Sequence, residues 1–519
     1  MQGKLPLLKG RPVLTLDSTL DLASFEALAR GEVGVELGAG PRGRLERALA
    51  RMRRLIEENR VVYGVTTGFG ALADRFVAAR DSGALQQKLV YHLATGVGPH
   101  FSFVQSRAVL AARLLSLTQG YSGVSEAAVS LMVRVLNSPY APAVPQQGTV
   151  GASGDLTPLA HAALALMGEG AFLDRTGRRV ESARVFQELG AAPLSLSGRD
   201  GLALVNGVSA MAGVAALNGV LARRLFRWAA RLTVVTAELL GGRTEAWRPE
   251  FAEARPHPGL ATAAAWLRAD AQGSARVRRD LAAASRHPGE GLFAAPQDAY
   301  SLRCAPQVIG AALDVLDHHD AVVLRELGSA SDNPILIEEE PYALHGGNFL
   351  GGHVALVSDA LRNAVATVAA LAERQLARLT NENLNEGLPA FLHRGTPGLD
   401  SGFMGAQVTA TALLAEIRAY APVSVQSIPT NADNQDVVSL GTIAARSCAG
   451  ALEDASHILA IAGLAAAQGM EIVGPEQFGA AARALHAEAR GCSAPLLEDR
   501  PLAQDIQAFA ERLRLRGPV

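Results

Sequence analysis

Five segments carry apolar residues at helical spacing over long runs: about 207–240, 306–328, 353–379, 404–421 and 436–469. They are rich in Ala and Leu and mostly free of proline, which is what long packed helices require. A chain with this much long helix has to bury its apolar faces helix on helix, so the predicted class is mainly α, with a bundle of long helices. Loops bearing Gly and Pro separate the segments, notably HPGEGLFAAPQDAY (287–300) and GLPAFLHRGTPGLDSG (387–402). Up to about residue 200 the pattern differs, with short elements broken by turns. The expected division is therefore a mixed head over 1–205 and, over 206–519, the long-helix bundle with the C-terminal helices. The stretch LVSDALRNAVATVAALAER (356–374) has an apolar stripe too wide for a lone exposed bundle. Cover by partner subunits follows, and with it a homo-oligomer.

The stretch GLALVNGVSAMAGVAALNGVLA (201–222) is uncharged over a length that could cross a bilayer. It contains Asn206, Ser209, Asn218 and several glycines, and Arg223, Arg224 and Arg227 follow at once. A helix buried among other helices fits this composition better.

A length of 519 residues with 49% hydrophobic and 19% charged residues suits a soluble chain with a large core. The net charge of −2 gives no electrostatic reason to expect nucleic acid or an anionic membrane as partner. Aromatic residues, at 5%, are too few for stacking platforms. Basic residues are almost all arginine, the lysines being Lys4, Lys9 and Lys88. Cys304, Cys448 and Cys492 lie far apart and fit neither a disulfide framework nor a zinc site. The opening MQGKLPLLKGRPVLTLDS lacks the apolar run of a secretory signal, and the expected compartment is a reducing cytoplasm.

The segment GTVGASGDLTPLAH (148–161) sets Ala152-Ser153-Gly154 among further glycines, directly before a helical pattern. Thr157 reads as an N-cap and Pro158 as the first residue of a helix running through Met167. The tripeptide then lies at the positive end of that helix, where developing negative charge is favoured. Alone, such a triplet is an ordinary turn. Its company is more specific: VYGVTTGFG (62–70), GTVGASGDLTPLAH, ALVNG (203–207), QDAYSLR (297–303), SDNP (331–334), HGGNF (345–349) and NQDVVSLG (434–441) occur in this order. Together they resemble the aromatic amino acid ammonia-lyase family, the histidine, phenylalanine and tyrosine ammonia-lyases and related aminomutases, from about Tyr63 to the C-terminal helices.

That resemblance implies a homotetramer with active sites shared among subunits, and a self-made cofactor. Gly154 nitrogen attacks the Ala152 carbonyl, two waters leave, and Ser153 becomes a dehydroalanine within a 4-methylidene-imidazol-5-one ring (MIO). The residue types suit this, since Gly154 is unhindered and lets the backbone fold back on itself. Ser153 supplies the hydroxyl that is lost, and Ala152 is small. Expulsion of ammonia needs an electrophile, and no ordinary side chain is one. The resemblance further implies that Tyr63 removes the β-proton and Asn206 polarises the ring carbonyl. Arg303 is implied as the anchor of the substrate carboxylate, with Tyr300 and Gln297 on the same loop. Gly70, Asn333, Phe349 and Asn434 fall on pocket motifs.

His92-Leu93 occupies the family's substrate-selecting position and matches the tyrosine ammonia-lyase pattern. An imidazole can hydrogen-bond a para-hydroxyl, which a Phe there cannot. Gln435 stands where enzymes specific for histidine have Glu. The reading is therefore elimination of ammonia from L-tyrosine to trans-p-coumarate. A phenylalanine-preferring lyase and a tyrosine 2,3-aminomutase remain as alternatives, with histidine disfavoured. Gly328 departs from the family, which commonly has Asn there, and bears on loop geometry near Asn333. DHHD (317–320) reads as a solvated or interfacial helix face, because adjacent helical residues point apart and cannot converge on one ion; no metal is expected.

Overall fold

The computed structural model describes residues 10–17, 20–278, 297–340 and 342–518. Of the expected loop at 287–300, residues 287–296 lie outside them. The chain divides into two compact units, one comprising 1–220, 319–359 and 422–447, the other 221–318, 360–421 and 448–519.

Periodicity located the long helices well. They run Ser209–Leu239, Ala305–Leu327, Gly352–Thr380, Met404–Ala419 and Gly441–Val473. The last starts later than its apolar pattern because Leu440, directly before it, has left-handed backbone, which no α-helix admits. The uncharged 201–222 stretch is two helices rather than one. Asp200–Val205 ends at an extended Asn206, Gly207 turns at φ +140°, and a new helix starts at Ser209. Gly352–Thr380 and Gly441–Val473 are long and apolar enough to span a bilayer, but 67% and 78% of their most apolar windows are buried in the protein, as core helices are.

In the first unit, short strands form small sheets around helices. Val13–Leu16 pairs in parallel with Gly34–Leu37, and Val97–His100 pairs antiparallel with Pro145–Gln147. Ala141–Pro142, Ala171–Leu173 and Arg179–Glu181 make an antiparallel three-stranded sheet. The second unit is held by one hydrophobic core contributed by its long helices, including Phe226, Leu316, Leu376, Leu452 and Ile461. Cys304, Cys448 and Cys492 form no disulfide among the described residues. The helix bearing DHHD leaves Asp317 and His318 exposed but buries His319. His319 Nδ1 sits 3.0 Å from Asp320, so half of this motif is interior rather than solvated.

Candidate active site

The Gly148–Asp155 loop is shaped by close approach. Gly151 and Gly154 have φ of +70° and +74°. A Cβ on Gly154 would lie 2.2 Å from the Gly207 carbonyl oxygen, and one on Gly151 would lie 2.3 Å from Ser439 Oγ. Only glycine fits at either place. The next residue pins the loop: Asp155 N donates to Gly207 O at 2.7 Å. The Asp155 carboxylate accepts from Met211 N at 2.8 Å and from the Thr442 hydroxyl. Met211 and Thr442 lie in the first turns of the Ser209–Leu239 and Gly441–Val473 helices, where anionic groups are favoured. Burial nevertheless dominates and pushes the Asp155 carboxyl up to about 6, against the pull of those hydrogen bonds.

The helix after the loop is Leu156–Leu166, with Asp155 rather than Thr157 in the cap position. It starts earlier than the Thr-Pro pair suggests because Asp155 is already fixed by its bonds to Gly207, Met211 and Thr442. Ala152-Ser153-Gly154 keeps its place at the helix N-terminus.

Ser153 is held from two sides. Asn206 Nδ2 donates to the Ser153 carbonyl at 3.0 Å, and Gln435 Nε2 donates to Ser153 Oγ at 3.1 Å. The orientation of the Asn206 amide is dictated by its other end, since its Oδ1 accepts from Asn333 N at 2.8 Å. Its NH2 group must therefore face Ser153. Asn333 is fixed in turn, its own Oδ1 accepting from Gly346 N at 2.7 Å. Asp332 beside it forms a fully buried pair with Arg199, at 2.8 and 2.9 Å, and lies 3.4 Å from Arg113. Gly328 closes the Ala305–Leu327 helix, its N–H donating to Leu324 O, and leaves this arrangement intact.

VYGVTTGFG forms a turn stapled by its own threonines: Val62 N donates to Thr66 Oγ1 and Gly64 N to Thr67 Oγ1. The turn presents the Tyr63 ring, edge-on to Phe69 at 6.2 Å. Gly70 N donates to Tyr63 Oη at 2.9 Å and locates the phenolic oxygen. Tyr63 N donates to His345 Nε2 at 3.2 Å. His92 and Leu93 occupy the last turn of the Ser82–Leu93 helix. His92 Nδ1 is 3.1 Å from Lys88 O. A carbonyl only accepts, so Nδ1 carries the proton and the neutral ring keeps Nε2 as its acceptor.

These groups meet in a cavity of about 840 Å³. Tyr63, Gly70, His92, Leu93, Ala152 and Ser153 line it, and Asn206, Asn333, Phe349, Asn434 and Gln435 complete the expected set. Gly154 lies behind the wall against Gly207. Gln297, Tyr300 and Arg303 belong to the second unit and do not line this cavity. There the Arg303 guanidinium stacks 4.5 Å from the Tyr300 ring centroid. The ring is 70% exposed, and Arg303 Nε is buried without a partner. Sequence reasoning missed Lys88 as a wall residue. The available signal was its place one helical turn before His92. Among the described residues no cluster of three or more metal-ligating side chains occurs.

A glycine-crowded Ala-Ser-Gly loop of this kind, on a mainly helical fold, points to a class. A sequence profile described as "Aromatic amino acid lyase" matches residues 20–491. The chain belongs to the aromatic amino acid lyase family and is a carbon–nitrogen lyase. It is 51% identical to a tyrosine ammonia-lyase of Cereibacter sphaeroides, over 98% of this chain and 99% of that one. A tyrosine ammonia-lyase of Cupriavidus metallidurans is 41% identical, over 94% and 93%. Among solved structures, a tyrosine aminomutase from Streptomyces globisporus superimposes with a TM-score of 0.92 at 37% identity, covering 97% of each chain.

Proposed function

We propose that this enzyme eliminates ammonia from L-tyrosine to give trans-p-coumarate, using an MIO ring made from Ala152-Ser153-Gly154. The observation that carries the reading is the placement of Ser153 in one cavity wall with Tyr63, Asn206 and His92. The residues present fit the ring. Gly154 lacks a Cβ at the one place where a Cβ would strike Gly207, and an oriented amide already points at the Ser153 carbonyl. Once formed, the ring supplies an electrophilic carbon that side chains lack. The chain's own groups do the rest. Asn206 donates to an oxygen that gains charge, an interaction of a kind worth roughly 3–4 kcal/mol in the transition state. Tyr63, its oxygen located by the Gly70 amide, takes the β-proton. His92 Nε2 accepts from the para-hydroxyl of tyrosine, and Leu93 packs on the ring.

Arg303, with Tyr300 and Gln297, is proposed to reach the carboxylate from a partner subunit of a cytoplasmic homotetramer. The exposed Tyr300 ring and the unpartnered Arg303 Nε support this role. The structural likeness to a tyrosine aminomutase favours one second reading, the return of the amine to the β-carbon.

Incubation with L-tyrosine, L-phenylalanine and L-histidine, followed by product identification, separates these readings: p-coumarate is expected, and β-tyrosine would establish the aminomutase. The intact mass of the wild type should be lower than the sequence mass by two waters. Ser153→Ala should restore the full mass and abolish turnover, and a fully active Ser153→Ala enzyme would end the MIO assignment.

A further inference from the structure

Between the Ser82–Leu93 helix and the Val97–His100 strand only three residues intervene, and they are tightly held. Ala94 N donates to Val90 O at 3.0 Å and Thr95 N to Leu93 O at 2.8 Å. The third amide, Gly96 N, has a side-chain acceptor from elsewhere in the fold: it donates to His161 Nε2 at 3.0 Å. His161 lies on the Leu156–Leu166 helix, which starts two residues after Gly154 and whose first residue lines the cavity. The Gly96 backbone also packs on the Gly148–Asp155 loop, since a Cβ on Gly148 would come 3.1 Å from Gly96 Cα. The selecting residues and the Ala-Ser-Gly loop thus share a junction, and one ring nitrogen sits at its centre.

We infer that His161 is a specificity-positioning residue: by accepting the Gly96 amide it fixes the last turn of the Ser82–Leu93 helix, and so the distance from His92 and Leu93 to Ser153. The inference rests on the tyrosine-lyase reading. A hydrogen bond from a para-hydroxyl to His92 Nε2 is productive over only a few tenths of an ångström. Loosening four residues downstream of His92 therefore costs tyrosine more than phenylalanine, which makes no such bond. The role requires a neutral imidazole, because a protonated one has no lone pair to offer. Burial, with His100 nearby, holds the His161 ring below its usual range and keeps it neutral. Nothing in this requires His161 to touch substrate.

The test compares kcat and KM for tyrosine and phenylalanine in wild type, His161→Leu, His161→Ala and His161→Gln. Leu and Ala remove the acceptor, Ala without added bulk; Gln keeps an uncharged one. The expected result is a roughly three- to tenfold fall in the tyrosine-to-phenylalanine ratio of kcat/KM for Leu and Ala, the worth of one modest hydrogen bond. It should arise from a higher KM for tyrosine, with phenylalanine parameters within about twofold of wild type and the ratio restored in His161→Gln. An unchanged ratio, equal losses on both substrates, a Gln variant behaving like Leu, or failure of both Leu and Ala to fold would each overturn the assignment. Absence of p-coumarate from the wild type would overturn the substrate reading and this inference with it. An active wild type with an unchanged ratio in the variants overturns only His161.

Discussion

At Ser153 the decisive feature is a chain of amides. Asn333 N–H fixes Asn206 Oδ1, and Asn206 Nδ2 therefore faces the Ser153 carbonyl. Asn206→Ala should lower kcat by about 10²–10³ if the amide acts on a developing oxyanion, while the unfolding midpoint moves little; steady-state kinetics beside thermal denaturation would show it. His92→Phe should shift preference from tyrosine toward phenylalanine by about five- to thirtyfold, the worth of one hydrogen bond, read from competing-substrate product ratios. His161 makes a prediction for stability. Its folded pKa lies below the 6.5 of the free side chain, so between the two values the unfolded chain binds more protons, and stability falls as pH drops through that window. His161→Gln should remove that part of the pH dependence, seen as a smaller change in denaturation midpoint between about pH 7.5 and about pH 5.5. At this scale the sequence was most informative where residues sit in dense motifs, as Tyr63, Ser153 and Asn206 do. Lys88 sits in no such motif, and His161, although it closes the GTVGASGDLTPLAH motif, meets Gly96 N only through space. Sequence order likewise could not say that Gln297, Tyr300 and Arg303 stay out of their own chain's cavity wall.

Elements follow the same division. Long helices announce themselves through a sustained 3.6-residue period, and five were readable to within a few residues. Where the chain breaks that period, hydrogen bonding decides, as at Asn206-Gly207 and in the left-handed residues before Gly441. Helix ends also rest on groups with no sequence signature. Arg107, fully buried, donates to Leu28 O and Ala29 O near the end of the Leu22–Arg30 helix. It donates as well to Leu136 O, Ser138 O and Tyr140 O, at and beyond the end of Glu126–Leu136. Burial, with Arg175 and Arg11 nearby, pushes its guanidinium down to about 9, still above neutrality, so the cation persists and meets carbonyl dipoles in place of a carboxylate. Arg107→Met should cost on the order of 3 kcal/mol or more, because several buried carbonyls lose their donor at once. Equilibrium denaturation would measure it.

For the whole molecule, surface composition points outward. Val425 is 73% exposed and Ile428 59%, within one stretch of the first unit. Val408, on the Met404–Ala419 helix of the second unit, is 66% exposed. Large apolar side chains left this exposed on either unit are expected to be covered by further copies of the chain. For the homotetramer proposed above, sedimentation should give the mass of four chains, and Val425→Asp should dissociate the assembly with loss of activity.

Sequence distance around Ser153 sets a timetable for biosynthesis. The glycines that crowd the loop, and Asn206, are all translated by residue 207. The Gln435 amide, the Ser439 hydroxyl beside Gly151 and the Thr442 hydroxyl that holds Asp155 come more than two hundred residues later. A nascent chain therefore carries the Ala-Ser-Gly turn without these three partners through a large part of its synthesis. For the proposed ring chemistry, the surroundings of Ser153 are therefore complete only once the chain has been made as far as Thr442.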